Sequence, residues 1–184
     1  MSHRAEVFII FQNPSFSLAN LTFSKYFYNF FYLGNYIQRS LNQALIAWDY
    51  LMTQKEITLG VICETHRFLM KNHNLKDNEK GYFRKIPIYI GGRMGIDADE
   101  IEHDLHHLIM NINDVVSEGK YQSPIWKKRI CKEHHIYYEK IHPFIDGNGR
   151  TGRMFMNWER LQIDLPLLII HEGKEQMGYY DWFK

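Results

Sequence analysis

A length of 184 residues is typical of one domain, and an apolar fraction of 45% with 15% aromatic residues can fill one hydrophobic core. Lys and Arg number 22 and Asp and Glu 21, so the net charge of +1 gives no long-range attraction to nucleic acid or to an anionic membrane, and we expect neither as a partner. Cys63 and Cys131 lie far apart and outside any metal-ligand spacing, which indicates buried thiols in a reducing compartment, the cytoplasm.

Residues 1–39 form an N-terminal arm that we leave unassigned, because its Phe-rich and Tyr-rich sequence has no clear periodicity. The apolar run 7–11 is short and lacks a small-residue cleavage site, so we expect no signal peptide. Polar residues interrupt the stretch 21–36 before it reaches the roughly 20 apolar residues that a membrane span needs. The arm either covers the core or binds a partner, and aromatic residues pack more often than they dock.

Apolar residues at helical spacing predict two helices after the arm. The first begins at Ser40, whose hydroxyl is a good N-cap, and the second runs from about Leu59 to Lys71. The period then changes, because isoleucine occupies every second position from 86 to 90 and the run ends at Gly91-Gly92. This alternation predicts a short extended segment or hairpin, and Pro87, which lacks an amide donor, predicts a sheet edge.

Three further helices follow in the second half of the chain. The third is capped by Asp97 or Asp99 and stops at Gly119. The fourth runs from Pro124, at a position that tolerates a missing amide, to Ile141, and the fifth covers Arg150 to Gln162. No repeat or low-complexity linker interrupts them, so the sequence predicts one all-α domain with a small extended flap.

The segment between the last two helices, His142-Pro-Phe-Ile-Asp-Gly-Asn-Gly-Arg-Thr-Gly-Arg153, gathers groups suited to a phosphorylated ligand. Gly147 and Gly149 let the backbone approach closely, and the first amides of the following helix are unpaired donors at the positive end of its dipole. Arg150 and Arg153 lie three positions apart on one helix face and can fork onto further phosphate oxygens. Two arginines beside a cradle of amides indicate a polyphosphate.

The same segment carries a metal ligand and a base. Asp146 is a hard oxygen ligand, suited to a Mg²⁺ that it shares with nucleotide oxygens and water. His142 is a base with a pKa near neutrality, able to take a proton from a hydroxyl group. The segment is neither a Walker A loop nor a GxGxxG turn after a strand. Together these groups predict nucleotidyl or phosphoryl transfer.

Each of these residues also has an ordinary explanation. His142 could be a histidine satisfied within a loop, Asp146 could cap a helix, and the two arginines could be solvated helix charges. Alone, these explanations would be favoured for the aspartate and the arginines, but the occurrence of all the groups in one short segment favours a site.

Other histidines are interpreted more simply. His103 and His107 have a spacing that can hold a metal but lack a third ligand, which favours a solvated helix face. We expect His134 on the surface and His135 buried near the loop. Glu139 is either a pairing partner within its helix or a site residue.

The segment 142–153 matches the Fic family signature HPFx(D/E)GNGRxxR at every specified position. The helix before it resembles the one that precedes the family motif, and 81–92 resembles the family's flap. The sequence thus resembles the Fic family over residues from about 56 to about 170. The resemblance implies a Fic-type helical bundle with a small β-hairpin flap, in which 40–184 is the Fic domain.

The resemblance implies a role for each residue of the motif. His142 acts as general base on the target hydroxyl, and Asp146 binds the Mg²⁺ between the α- and β-phosphates of ATP. Phe144 packs into the core and orients the loop. The implied reaction transfers AMP from Mg-ATP to a Ser, Thr or Tyr hydroxyl of a target protein and releases pyrophosphate.

The phosphate-binding roles also come from the resemblance. Gly147, Asn148 and Gly149 form an anion hole, with Asn148 on the α-phosphate. Arg150 meets the β-phosphate and Arg153 the γ-phosphate. The flap pairs with the backbone of the target by strand addition, through six consecutive residues. These are Lys85, Ile86, Pro87, Ile88, Tyr89 and Ile90.

Other functions stay open at this stage. The phosphorylating Doc branch of the family has a shorter arginine pattern and places the nucleotide in reverse, whereas Gly149 and Arg153 are both present here, which favours AMP transfer. Transfer of another nucleotide and a non-catalytic, toxin-like interaction module are the remaining alternatives.

Many family members are inhibited by a helix that bears (S/T)xxxE(G/N), and this sequence lacks that motif. Glu118-Gly119 has Asp114 at the Ser/Thr position, and Glu172-Gly173 has Leu168. The resemblance therefore implies either a separate inhibitory antitoxin protein as a partner or no such inhibition.

Overall fold

Six α-helices and one short hairpin build the part of the chain that the computed structural model describes, residues 34–90 and 92–184. The predicted all-α fold with a hairpin flap is confirmed. No helix within these residues is long and apolar enough to cross a membrane. In chain order the helices are α1 (Gly34–Met52), α2 (Leu59–Met70), α3 (Ile101–Glu118), α4 (Pro124–Ile141), α5 (Asn148–Gln162) and α6 (Lys174–Tyr180).

Helix α1 begins earlier than predicted, at Gly34 instead of Ser40. Ser40 lies inside the helix, because a capping residue type marks a helix start only where the backbone before it is not helical. The predicted boundary between residues 39 and 40 therefore falls within α1. The part of the arm before the helix, residues 1–33, lies outside the described residues. Its predicted role, covering the core or binding a partner, therefore stays a prediction.

Side-chain caps begin helices α2 and α4. Thr58 Oγ1 accepts from the amide of Val61 at 3.1 Å, and Ser123 Oγ accepts from the amide of Trp126 at 3.3 Å. Each bond satisfies one of the amides that a helix start leaves without an intrahelical partner. The predicted ranges of both helices are confirmed, with Lys71 at the C-cap of α2 and Pro124 at the first turn of α4.

The predicted cap of α3 by Asp97 or Asp99 is wrong. The chain enters α3 through a 3₁₀ turn, Ala98–Glu100, and neither Asp97 nor Glu100 makes a side-chain capping bond. The amide of Glu100 instead donates to the carbonyl of Asp97 at 3.1 Å, so the main chain itself satisfies this terminus. The predicted end is confirmed, since Gly119 is the C-cap.

Helices α4 and α5 approach each other closely at Gly152. A Cβ at this position would lie 2.6 Å from Glu139 Oε1 and 2.8 Å from the ring of Tyr138, so the contact requires glycine. His134, predicted on the surface, is buried in the same interface, where its Nδ1 lies 2.7 Å from Glu159 Oε1. Its polar side chain suggested exposure, but the buried carboxylate across the interface supplies the partner that burial requires.

The hairpin consists of β1 (Tyr89–Ile90) and β2 (Arg93–Met94), which pair antiparallel. Tyr89 pairs with Met94 and Ile90 with Arg93, and the amide of Gly95 donates to the carbonyl of Ile88 at 2.9 Å. Each strand lies at an edge of this two-stranded sheet, and Pro87 lies before the first strand, as its missing amide predicts.

Candidate functional site

The loop between α4 and α5 begins at His142, which adopts a left-handed backbone conformation with φ 49° and ψ 62°. This conformation is rare for a residue with a side chain, so the surrounding contacts must hold it in place. The amide of His142 donates to the carbonyl of Tyr138 at 3.0 Å and ends α4. The chain thereby turns sharply and directs the following residues to the start of α5.

The hydrogen bonds of His142 determine which ring nitrogen carries the proton. Its Nδ1 lies 3.2 Å from the carbonyl oxygen of Glu139, and a carbonyl only accepts, so Nδ1 is protonated. Nε2 then carries the lone pair. Burial lowers the pKa of His142, the bond to the Glu139 carbonyl opposes this shift, and the nearby Arg84 cation adds to it. His142 is therefore neutral at pH 7 and able to accept a proton at Nε2.

Arg84 connects the flap to the loop that begins at His142. Its side chain is 2% exposed, and its Nε donates to the carbonyl of His142 at 2.9 Å. The other guanidinium nitrogens donate to the carbonyls of Ile86 at 3.0 Å, of Ile96 at 2.7 Å and of Ile141 at 3.3 Å. One buried cation therefore holds both arms of the flap at a set position relative to His142.

Asn148 closes the loop through its side-chain amide. Its Oδ1 accepts from the amide of Phe144 at 2.8 Å, and its Nδ2 donates to the carbonyl of the same residue at 2.8 Å. Phe144 is fully buried, and its ring stacks on that of His66 at a centroid distance of 3.7 Å. Because the side chain of Asn148 is used inside the loop, the residue presents its main-chain amide, not its side chain, to a ligand.

Gly147 lies at the N-cap of α5 with φ 84°. A Cβ here would lie 2.7 Å from Met70 Sδ, so both the left-handed backbone and the available space require glycine. The first intrahelical bond runs from the amide of Thr151 to the carbonyl of Gly147 at 3.0 Å. The amides of 148–150 precede that bond and lie at the positive end of the helix, which suits an anion.

Asp146 fits the ligand set of a magnesium ion. Its side chain is 57% exposed beside the start of α5, and its Oδ1 accepts from the amide of Gly147 at 2.6 Å. The described residues contain no group of three or more ligands that could hold a metal alone. A single exposed carboxylate is what Mg²⁺ uses when phosphate oxygens and water supply the remaining ligands.

Arg150 lies between Asp146 and a histidine from the loop after α2. Its Nη2 is 3.5 Å from Asp146 Oδ1, and its Nη1 is 2.7 Å from His73 Nε2. Arginine only donates, so Nε2 of His73 accepts and the ring is neutral. Burial and the charge of Arg150 both lower the pKa of His73.

Arg153 lies next to Glu139 and to the C-terminal helix α6. Its Nη1 donates to the hydroxyl of Tyr179 at 3.4 Å. Burial raises the pKa of Glu139 to about 7, and the charge of Arg153 opposes that rise. Glu139 Oε2 lies 3.9 Å from His142 Nδ1, so this carboxyl group stands between the base and the second arginine. Its position makes Glu139 a neighbour of the site.

His66 joins three parts of the site. Its Nδ1 accepts from the amide of Gly81 at 2.9 Å, so its Nε2 carries the proton and donates to the carbonyl of Asp146 at 2.9 Å. Burial lowers the pKa of His66 to about 4, which keeps the ring neutral. The start of the flap, helix α2 and the loop are thereby held together.

The predicted flap residues are largely exposed, since Lys85, Ile86, Pro87 and Tyr89 all face solvent. Ile86 is 54% and Tyr89 75% exposed, whereas Ile88 and Ile90 are half-buried. Only Tyr89 and Ile90 belong to the ladder, and Lys85 to Ile88 lead up to it. The exposed side chains of Tyr89 in β1 and of Ile86 before it suit contact with another chain.

Sequence reasoning missed four residues of the site: His66, His73, Arg84 and Tyr179. Arg84 was recognised as part of the flap segment that begins Gly81-Tyr82-Phe83. Its burial was not predicted, because its hydrogen-bond acceptors are main-chain groups, which have no sequence pattern. His103 and His107, whose Nε2 atoms lie 3.2 Å apart on the exposed face of α3, are not part of this site.

The chain matches the model of one protein family and is similar in sequence to proteins named after it. The model of the Fic/DOC family matches residues 56–159. Two proteins named Protein adenylyltransferase Fic, from Drosophila willistoni and Drosophila persimilis, are 31% and 29% identical to the chain over 134 residues, which is 73% of its length. The chain spans only 25% of the length of each of these relatives.

Solved structures share the fold. A Fic domain containing signaling protein from Bacteroides thetaiotaomicron aligns with a TM-score of 0.63 at 18% identity, over 78% of this chain and 55% of that protein. Fic-1 from C. elegans aligns with a TM-score of 0.62 at 22% identity, over 78% of this chain and 41% of the other.

Proposed function

This chain belongs to the Fic/DOC family, and from that membership we propose that it transfers AMP from Mg-ATP to a hydroxyl group of another protein. The observation that carries the proposal is the tautomer of His142. Its Nδ1 donates its proton to the Glu139 carbonyl, so Nε2 carries the lone pair, on the loop that leads to the amides at the start of α5. A base next to an anion site is the combination that nucleotidyl transfer to a hydroxyl requires.

The reaction forms one bond and breaks another at the α-phosphorus. Nε2 of His142 takes the proton of the target hydroxyl while the hydroxyl oxygen attacks the α-phosphorus. The bond from that phosphorus to its bridging oxygen breaks, and pyrophosphate leaves with the electron pair. The amides of Asn148 and Gly149 stabilise charge on the α-phosphate, while Arg150 and Arg153 bind the β- and γ-phosphates.

Asp146 is the residue that would hold Mg²⁺, which neutralises phosphate charge when bound. Its half-exposed carboxylate lies beside both the amides of α5 and Arg150. Arg150 therefore neutralises part of its charge before a nucleotide binds.

The target docks on the flap in this proposal. An extended segment that pairs with β1 uses main-chain bonds, and the exposed side chains of Ile86 and Tyr89 contact it. Because Arg84 bonds to the carbonyls of both Ile86 and His142, a docked segment is held at a fixed place relative to the base. A Ser, Thr or Tyr of that segment then presents its hydroxyl to Nε2.

The test compares the fate of two labels. The protein is incubated with cell-lysate proteins and ATP labelled at either the α- or the γ-phosphate, and labelled proteins are examined for AMP adducts by mass spectrometry. We expect transfer of the α-label only, and its loss in His142→Ala. His106→Ala, which replaces an exposed histidine of α3, is the matched control and keeps the activity.

Two outcomes would overturn the proposal. Transfer of the γ-label that requires His142 would identify a phosphotransferase. Binding of ATP with no His142-dependent transfer of either label to any lysate protein would favour an interaction module instead of an enzyme.

A further inference from the structure

Tyr179 lies in a buried aromatic cluster at the C-terminal end of the chain. It is 5% exposed on helix α6, and its ring centroid is 5.3 Å from that of Trp182 and 5.2 Å from that of Phe183. The ring of His135, in α4, completes the cluster at 5.7 Å. These contacts fix the short helix against α4 and orient the tyrosine hydroxyl.

The hydroxyl of Tyr179 connects an arginine of the site to a buried histidine. It lies 3.4 Å from Arg153 Nη1 and 2.8 Å from His135 Nε2. Arginine only donates, so the hydroxyl oxygen accepts from Arg153. The hydroxyl proton is then available for Nε2 of His135, which accepts it. The chain of bonds therefore has one direction, from Arg153 through Tyr179 to His135.

The protonation states agree with that direction. Burial raises the pKa of Tyr179 to about 12, although the charge of Arg153 opposes the rise, so the hydroxyl keeps its proton. Burial and the charge of Arg153 lower the pKa of His135 to about 3, so its ring is neutral and can accept. The guanidinium of Arg153 also lies 5.8 Å from the centre of the Tyr179 ring, within reach of a cation–π contact.

We propose that Tyr179 is a positioning residue that holds the guanidinium of Arg153 where the outermost phosphate of the nucleotide binds. This inference rests on the proposed function, which assigns Arg153 to the γ-phosphate. A long side chain that is already oriented loses less conformational freedom when it binds a phosphate. Tyr179 therefore favours the nucleotide that has a third phosphate and leaves binding of the first two unaffected.

The experiment compares ATP with ADP. The affinities of both nucleotides are measured by calorimetry in the presence of Mg²⁺ for the wild-type protein, for Tyr179→Phe and for Tyr180→Phe. Tyr180 is the matched control, because it is the adjacent tyrosine and is 46% exposed. Tyr179→Phe removes a single hydroxyl and keeps the ring in its cluster, and a thermal unfolding curve checks that the fold persists.

We expect Tyr179→Phe to weaken ATP binding roughly 5-fold, the effect of losing one hydrogen bond, and to leave ADP binding within about 2-fold of wild type. Tyr180→Phe should change neither. An equal loss for ATP and ADP would assign Tyr179 a purely structural role and overturn the inference. So would an unchanged affinity for both nucleotides.

Arg153→Ala separates a failure of this inference from a failure of the proposed function. If it abolishes the preference for ATP over ADP while Tyr179→Phe leaves that preference intact, the γ-phosphate assignment stands and only the role of Tyr179 is wrong. If Arg153→Ala leaves the preference unchanged, the assignment of Arg153 to the γ-phosphate is wrong, and the inference about Tyr179 falls with it.

Discussion

Two halves of the site are held in place by different kinds of contact. The loop that carries the proposed base, His142, is called the base half, and it is fixed by hydrogen bonds to main-chain groups, above all by those of Arg84 to four carbonyls. The two arginines proposed to bind phosphate, Arg150 and Arg153, are called the phosphate half, and side chains from distant parts of the chain hold them. The first arginine contacts His73 and the second contacts Tyr179.

The difference shows which part of the site depends on the identity of its neighbours. Every residue has a main-chain carbonyl, so the base half keeps its acceptors when neighbouring side chains change. The phosphate half needs one specific ring nitrogen and one specific hydroxyl. Changes at these two partners should therefore alter nucleotide affinity while the base and the fold remain as they are.

Disrupting the base half should lower the free energy of unfolding more than disrupting the phosphate half. Arg84→Ala tests this and has the largest expected effect. The change leaves four carbonyls without their donor in a buried region, so we expect the free energy of unfolding to fall by about 3 kcal/mol or more. Urea denaturation measures the change. Arg129→Ala, at an arginine whose side chain is 66% exposed, is the control and should have little effect. A similar small effect for both would show that Arg84 does not anchor this half.

The pH dependence of AMP transfer tests the base itself. Burial lowers the pKa of His142 below 6.5, with Arg84 adding to the shift, so Nε2 stays free at pH values where an exposed histidine is protonated. We expect kcat/KM for ATP to be on a plateau at neutral pH and to fall about tenfold per unit once the pH drops below this lowered pKa. A fall that begins above pH 6.5 and persists when Glu139 is replaced by Gln would contradict the described environment of His142.

Glu139 also titrates near the base, because burial raises its pKa to about 7. The profile is therefore repeated with Glu139→Gln, which keeps the shape of the side chain and removes that ionisation. Any inflection of the profile near neutral pH that disappears in this variant belongs to Glu139. An inflection at lower pH that remains belongs to His142.

The smallest effect is expected in the phosphate half, for His73→Ala. Loss of the contact to Arg150 at a half-exposed residue should leave the fold stable and weaken nucleotide binding only about 2- to 3-fold. Because Arg150 is assigned to the β-phosphate, ATP and ADP should be affected equally. His171→Ala, at an exposed histidine, is the calorimetric control. A loss confined to ATP would contradict the assignment of Arg150.

The same division explains how much could be predicted from the sequence. The loop from His142 to Arg153 is continuous, so its composition alone indicated an anion site, a metal ligand and a base, whose roles remain proposals. The caps at Thr58 and Ser123 are local as well, and the ranges of their helices are confirmed. Interactions among neighbours in sequence leave a pattern of spacing that can be recognised.

Contacts between distant residues left no such pattern. Arg150 contacts a histidine in the loop after α2, and Arg153 contacts Tyr179 beyond the segment that resembles the family. The burial of His134 likewise depends on Glu159 in another helix. The predictions for the start of α1 and for the cap of α3 were wrong for a different reason. A capping residue type is neither necessary nor sufficient for a helix start.

The four hydrogen bonds of Arg84 also fix the distance between the flap and His142. In the proposed function, this distance determines which hydroxyl of a docked strand can be modified. A strand that docks on β1 can shift only in steps of two residues if it is to keep the same side chains facing the base, and each step moves the chain by about 6.6 Å. Because Arg84 joins the flap to the carbonyl of His142, the proposed docking predicts that such a step moves one hydroxyl out of reach of Nε2 and brings the next candidate in. We therefore expect the modified residue to be selected by its place along the docked strand more than by the chemical nature of its neighbours.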